Sequence, residues 1–174
     1  MKRRRVVLAF MSLALILVGC HARKTDKNVT TIAPLPPKNA TSNQEPSLRG
    51  KEYKTVAEIR MVHFDFNKAS IRSEDASILK RNYDVIMHHP DWEFLVEGHC
   101  DERGPEVYNL ALGQRRAAAV RQYYMDLGID GKRIATISYG KEKPLCTEHN
   151  EDCWSQNRRG ESKVRVWDEA PKSI

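Results

Sequence analysis

Residues 92–120 read WEFLVEGHCDERGPEVYNLALGQRRAAAV, and this stretch decides the fold because two periodicities follow each other within it. Its first eight residues alternate between apolar and polar, which predicts a strand with Trp92, Phe94 and Val96 on one face. A loop rich in glycine and charged residues then separates this strand from a segment of helical periodicity. The stretch therefore predicts a strand that leads through a charged loop into a helix.

The helical segment is predicted to run from about Tyr108 to Leu127. Its buried face is expected to carry four apolar residues at helical spacing: Ala117, Val120, Tyr124 and Leu127. Gly128 comes next and suits the end of a helix, because glycine readily adopts the left-handed conformation required there.

Four further segments extend the pattern on both sides. Strands are predicted over residues 58–66, 133–140 and 162–169, with one helical turn near Gln156 between the last two. The first of these strands is expected to turn three side chains to one face: Val62, Phe64 and Phe66. A first helix is predicted to start with Ser73 as its N-cap and to end before Pro90. The order βαβαββ predicts an α/β (α+β) sandwich, in which the helices cover one side of a small mixed sheet.

Residues 1–19 have a basic start and an uncharged apolar run, which predicts a signal peptide. The run from Val6 to Val18 is short for a membrane span, which needs about 20 apolar residues; an uncleaved anchor is the alternative. The tetrapeptide LVGC, which ends at Cys20, resembles the lipobox of bacterial lipoproteins. That resemblance implies cleavage before Cys20 and its acylation, and His21, in place of Asp, favours the outer membrane.

Residues 20–52 are predicted to be the acylated cysteine and a disordered tether, because they are rich in Thr, Pro, Asn and Ser and lack apolar periodicity. Residues 53–174 are predicted to form a single domain. The acyl chains would attach the protein to the outer membrane, with the domain facing the periplasm.

The net charge of +6 is concentrated in the segment expected to be removed. Residues 1–19 contain four basic residues and no acidic one, so 25 basic and 23 acidic residues remain after cleavage. This near balance argues against nucleic acid as a partner.

The loop EGHCDERG, residues 97–104, admits three interpretations: a metal site, a nucleophile with its base, or a pocket for a charged ligand. His99, Cys100 and Asp101 are adjacent, and successive side chains of an extended chain point apart, which argues against a metal site. A nucleophilic cysteine needs a base and a group that orients the base, and no such third group is evident. We therefore expect no catalytic residues, no metal ion and no cofactor.

Cys146 and Cys153 lie in a loop on either side of His149, a spacing loosely similar to that of zinc ligands. Zinc would need a fourth ligand, whereas an exported protein readily forms disulfides. A disulfide between Cys146 and Cys153 is therefore the favoured prediction.

The pocket interpretation rests on helix geometry. Ligands often bind where a strand leads into a helix, and Asp101 lies there. Asn109, Leu112 and Arg116 share one face of the following helix, while Arg115 lies about 100° away. A carboxylate and a guanidinium on two sides of a pocket suit a zwitterion. The alternatives are that Asp101 and Arg116 pair with each other, or that Arg116 is solvated.

Four segments also carry a family resemblance: VHFDFNKASI, VEGHCDERGPEVYNLALGQRRAAAVRQYY, ISYGKEKPL and NRR. Over about residues 56–167 they resemble the OmpA-like peptidoglycan-binding domain. The resemblance implies noncovalent binding of the diaminopimelate of peptidoglycan stem peptides, and thereby attachment of the outer membrane to the cell wall. It also implies binding to the periplasmic Tol system, mainly TolB.

The family motifs assign individual residues. The Asp of T-D-x-x-G falls on Asp101, the second Arg of R-R-A on Arg116, and the Asn of Y-N on Asn109. The closing N-R-R falls on residues 157–159, which implies that Arg159 is near the pocket.

The first-strand motif F-x-F-D falls on Phe64, Phe66 and Asn67, so Asn stands where Asp is common. Cys100 stands where Thr is common. Together with Leu112 on the helix face, Phe66 and Asn67 complete the expected peptidoglycan-binding residues. Two other functions are open: an OmpA-like lipoprotein outside the Tol system, and an enzyme that modifies peptidoglycan, for which no acid–base pair, nucleophile set or complete metal site is evident.

Overall fold

The computed structural model describes residues 44–166 of the chain. The elements, numbered in chain order, are β1 Val62–His63, α1 Ser73–Met87, β2 Trp92–His99, α2 Glu106–Asp126, β3 Ile134–Gly140, α3 Glu151–Asn157 and β4 Arg159–Val166. A short 3₁₀ turn, Gly131–Arg133, precedes β3. Cys20 and the signal peptide lie outside the described residues.

The four strands form one mixed sheet in the order β1-β4-β2-β3. Strand β2 pairs in parallel with β3, because α2 crosses over between them, and in antiparallel with β4. The last strand in sequence thus lies between the first two. This arrangement confirms the predicted fold class.

Both long helices pack against the same face of the sheet. The core contains side chains from α1, α2 and all four strands: Leu79, Ile86, Ala117, Val120, Tyr124, Val62, Phe94, Val96, Ile134 and Val164. Their burial follows the predicted periodicities, because alternate strand residues and every third or fourth helix residue reach one face. At the end of α2, Gly128 has a φ of 112° and its N–H donates to the carbonyl of Met125, as expected of a helix-terminating glycine.

The opposite face of the sheet is charged. Its residues come from alternate positions of β2 and β4 and form ion pairs both within and between the two strands: Glu93, Glu97, His99, Glu161, Lys163 and Arg165. Glu93 and Arg165 are direct neighbours in the register, as are Glu97 and Glu161.

Helix α2 lies against β2 at backbone contact, and two glycines permit this approach. A Cβ on Gly98 would lie 1.9 Å from the carbonyl oxygen of Gly113, and a Cβ on Gly113 would lie 2.3 Å from the Ser138 hydroxyl. Gly98 therefore serves to bring the helix close to the strand. Gly104, with a φ of 89°, is the glycine whose left-handed conformation the turn after β2 requires.

Three predictions about the first half of the domain were wrong in detail. Ser73 is not the N-cap of α1, because the cap position is Arg72 and the Ser73 hydroxyl donates to Glu74. The first strand is Val62–His63, much shorter than the predicted 58–66, and the segment after it reaches a left-handed residue at Asn67, with a φ of 58°. Phe66 consequently does not join the buried face and is 57% exposed.

The packed region also begins before residue 53. The carboxylate of Glu45 accepts a hydrogen bond from the N–H of Thr136, on the edge strand β3, and the ammonium of Lys51 pairs with Glu93. These contacts belong to the last part of the segment predicted to be a tether. Within residues 44–166, no helix combines the length and apolar character that a membrane span requires.

We predict that Gly98→Ala lowers the free energy of unfolding by at least about 1–3 kcal/mol, the usual cost of overpacking. The added methyl would meet a backbone oxygen, which cannot rotate away as a side chain would. Urea unfolding followed by circular dichroism measures the change. Ala118→Gln, on the exposed face of α2, is the control and should cost little. Equal midpoints for Gly98→Ala and the wild type would contradict the prediction.

Candidate ligand pocket

A cavity of about 290 Å³ opens where β2 ends and α2 begins. Its walls come from the end of β2, the β2–α2 loop, the first turns of α2 and the segment after β1. The lining residues are Phe66, Asn67, Cys100, Asp101, Arg103, Gly104, Pro105, Tyr108, Asn109, Leu112 and Arg116. Six of the seven residues expected to bind peptidoglycan therefore lie around a single cavity.

Arg116 is the cation of this cavity, and its side chain is completely buried. Its Nε, Nη1 and Nη2 atoms donate to the backbone carbonyls of Lys68, His99 and Asp65 at 2.9, 2.7 and 3.1 Å. Among residues 44–166, no carboxylate oxygen lies within 4.0 Å of this guanidinium. Burial lowers the pKa of Arg116 from its ordinary value, which is the expected effect on a cation without a counter-charge in contact.

Asp101 is the anion of the cavity and is 4% exposed. It accepts hydrogen bonds from the backbone N–H, Nε and Nη2 of Arg103, and Nη1 of Arg158 lies 3.4 Å away. Burial acts to raise the pKa of Asp101, but the hydrogen bonds from Arg103 outweigh it and hold the pKa below its usual value. Asp101 is thus ionised and paired with arginines other than Arg116.

Arg103 forms a side wall that the sequence did not identify. Its guanidinium lies between two aromatic rings, 4.1 Å from the centroid of Phe66 and 4.1 Å from that of Trp154. The side chain is still 31% exposed, so it lies at the mouth of the cavity. The only sequence signal was a charged residue between Asp101 and the loop glycine, because the two rings come from distant parts of the chain.

Glu102, the residue before Arg103, connects the β2–α2 loop to the segment around α3. Its carboxylate accepts hydrogen bonds from Nε1 of Trp154 at 2.8 Å and contacts Nδ1 of His149 at 2.6 Å. That segment is closed by a disulfide between Cys146 and Cys153, whose Cα atoms are 5.2 Å apart. The two sulfur atoms are bonded to each other in place of a shared metal ion.

The remaining expected residues shape the cavity. The amide of Asn109 donates to the carbonyl of Arg103 at 2.9 Å and so fixes the loop. Asn67 accepts a hydrogen bond from the hydroxyl of Tyr108 across the opening. Leu112 supplies buried apolar surface.

Cys100 and His99 point to opposite sides of the sheet, as expected for neighbours in a strand. The Cys100 thiol is buried, donates to the carbonyl of Asn109 at 3.3 Å, and has a pKa raised by burial. A thiol in this environment is a packing group and not an activated nucleophile.

Arg159 does not line the cavity. Its guanidinium contacts the carbonyl of Lys143 and the carboxylate of Glu161 on the charged face of the sheet. Arg158 instead contacts Asp101, and it also donates to the carbonyl of Phe64. The motif implied that Arg159 is near the pocket, but it is the preceding arginine, Arg158, that contacts a cavity residue, because neighbouring side chains point to opposite sides.

Known proteins resemble this chain over most of its length. Residues 63–158 match the OmpA family. A peptidoglycan-associated lipoprotein of Rhizobium meliloti is 38% identical over 90% of this chain and 85% of its own length. A protein of the same name from Agrobacterium fabrum is 40% identical over the same shares of the two chains.

Two solved structures extend the comparison to the fold. The peptidoglycan-associated lipoprotein of Burkholderia pseudomallei is 40% identical, covers 61% of this chain and 90% of its own, and superposes with a TM-score of 0.59. The cell wall anchor of a secretion system (T6SS) from Pseudomonas aeruginosa is 26% identical, covers 61% and 79%, and has a TM-score of 0.54. By the family match over more than half of its length and its identity to these relatives, the chain belongs to the OmpA family.

Proposed function

We propose that this chain binds peptidoglycan noncovalently and that its cavity receives the diaminopimelate of a stem peptide. The observation that carries the proposal is Arg116, a wholly buried cation that lines the cavity without a carboxylate in contact among residues 44–166. An isolated buried charge is costly. Three carbonyl oxygens reduce that cost, and a ligand carboxylate would supply the missing negative charge.

The rest of the cavity suits the other charged group at the same end of this ligand. Diaminopimelate carries an ammonium and a carboxylate on its far carbon. Arg116 has N–H groups beyond the three that donate to carbonyls, and these would bind the carboxylate. Asp101 would accept the ammonium, and the cavity of about 290 Å³ has room for the amino-acid end of one side chain.

For the ligand ammonium to bind Asp101, it would have to replace the guanidinium of Arg103. That guanidinium now donates to both oxygens of Asp101. Because its side chain is partly exposed and lies between two rings, it can turn outward without losing all of its contacts. The ammonium would then take its place on Asp101.

Attachment to the outer membrane is the second part of the proposal. The LVGC tetrapeptide supports acylation of Cys20, and the relatives named above are lipoproteins by name. A lipid-anchored, periplasmic domain that binds peptidoglycan would link outer membrane and cell wall. A role in the Tol system, through TolB, is the partner that the family resemblance implies.

We expect Asp101→Asn and Arg116→Lys each to weaken binding to isolated peptidoglycan about 30-fold or more. Losing one charged hydrogen-bond partner in a desolvated site typically costs about 2–5 kcal/mol, and lysine lacks the bidentate fork of arginine. Sedimentation with sacculi, in both variants and the wild type, measures the affinity.

Arg115→Lys is the matched control, because Arg115 is the adjacent arginine on the exposed side of α2. It should bind like the wild type, and circular dichroism should show that all variants fold. Folded Asp101→Asn and Arg116→Lys proteins that sediment like the wild type would refute the pocket assignment. Release of soluble fragments from the sacculi would favour the alternative of a peptidoglycan-modifying enzyme.

Lipidation is predicted to depend on Cys20 alone. Metabolic labelling with a palmitate analogue should label the wild type, and the label should fractionate with outer membrane. Cys20→Ala should remain an unlabelled precursor that retains residues 1–19. A wild-type protein without label would exclude the lipoprotein assignment, whereas Cys146→Ala should leave labelling unchanged.

For the Tol system, we expect TolB to be recovered with this chain after affinity purification from detergent-solubilised envelopes. The Arg116→Lys variant should recover the same amount, if the partner binds outside the cavity. Absence of TolB under conditions that recover peptidoglycan fragments would favour an OmpA-like lipoprotein outside the Tol system.

A further inference from the structure

The charged face of the sheet contains a cluster of metal-ligating groups on the side of β2 opposite the cavity. Glu97 of β2 and Glu161 of β4 are direct neighbours in the antiparallel register. His99 follows Glu97 on the same face of β2. One ligand atom from each of the three residues lies within 4.8 Å of the other two.

His99 is the unusual member of this cluster. It is 1% exposed, and neither ring nitrogen has a hydrogen-bond partner. Its Nε2 lies 3.5 Å from Oε2 of Glu97, which is close enough for attraction but without hydrogen-bond geometry. A buried polar group without a partner costs free energy. A ligand on Nε2 of His99 would remove that cost.

We propose that Glu97, His99 and Glu161 bind a divalent transition-metal ion of the zinc class, and that the ion displaces the ammonium of Lys163. One imidazole and two carboxylates are a ligand set that zinc accepts. Magnesium and calcium prefer oxygen ligands alone, so the imidazole makes the site selective. The three ligand atoms would have to approach the ion to about 2.0–2.2 Å, which small rotations of the carboxylates provide.

Lys163 is the present cation of the cluster. Its Nζ lies 2.9 Å from Oε2 of Glu97 and 3.8 Å from Oε1 of Glu161. The side chain is 23% exposed, and its flexible stem allows the ammonium to move into solvent. A cation between the two carboxylates thus already marks the position that a metal ion would occupy.

Some neighbouring groups favour metal binding at this cluster, and one opposes it. The hydroxyl of Thr55 donates to Oε1 of Glu161 at 3.0 Å and orients this carboxylate, as outer hydrogen bonds do in metal sites. Burial lowers the pKa of His99, which favours the neutral imidazole that can ligate. Nε of Arg159, 3.5 Å from Glu161, opposes a second positive charge and limits the affinity.

The test is a zinc titration of the full chain in detergent, without a histidine tag, against a competing chromophoric chelator. The wild type should bind one zinc ion, and magnesium should not compete. Glu161→Gln and His99→Gln should weaken binding at least about tenfold, since even outer partners of a ligand contribute about 10- to 100-fold. Lys163→Gln should bind zinc more tightly, because the competing ammonium is gone.

His149→Gln is the control, because this exposed histidine pairs with Glu102 and contributes no ligand atom to the cluster, so zinc binding should be unchanged. His99 is buried, so Glu161→Gln and Lys163→Gln carry the test if His99→Gln does not fold. The proposal fails if the wild type binds no zinc in the micromolar range. It also fails if Glu161→Gln binds like the wild type, or if Lys163→Gln binds more weakly.

Discussion

The contact between the backbones of Gly98 and Gly113 is the constraint on which the rest of the structure depends. A side chain at either position would separate α2 from the sheet. Arg116 lies one turn further along α2, and its Nη1 reaches the carbonyl of His99 at 2.7 Å only because the helix lies this close to β2. The depth of the cavity and the position of its buried cation therefore follow from two residues that have no side chain.

Arg116 in turn connects segments that no strand pairing joins. The carbonyls of Asp65 and Lys68 belong to the irregular segment after β1, and that of His99 belongs to the end of β2. Hydrogen bonds from a charged donor are worth about 1.5–3 kcal/mol each, which offsets part of the cost of burying the guanidinium. Because carbonyl oxygens carry no formal charge, the structure keeps a net positive charge at the base of the cavity.

The sequence predicted what short-range periodicity determines. Strand β2 has the predicted bounds, and α2 differs from its prediction by about one turn at most, because both segments have strong apolar patterns. Asp101 and Arg116 were placed at one site by loop position and helix phase, and both line the cavity.

The sequence could not predict what distant packing determines. The stacking of Arg103 depends on Phe66 and Trp154, which lie far apart in the chain. The exchange of Arg159 for Arg158 depends on where α3 ends and β4 begins, a boundary at which a shift of one residue reverses the side of the sheet.

On both sides of the sheet at β2, a buried carboxylate is paired with a partly exposed cation. On the pocket side the carboxylate of Asp101 is paired with Arg103, and on the other side that of Glu97 is paired with Lys163. In both pairs the carboxylate is buried, while the cation is partly exposed and on a long side chain. Removing the cation outright would leave a buried charge unpaired, which is strongly destabilising. In the two proposals, an incoming ammonium or metal ion would avoid that state, because it would replace one cation with another. Under both proposals, binding by exchange would keep the free protein stable and would restrict each site to ligands that bring a positive charge of their own.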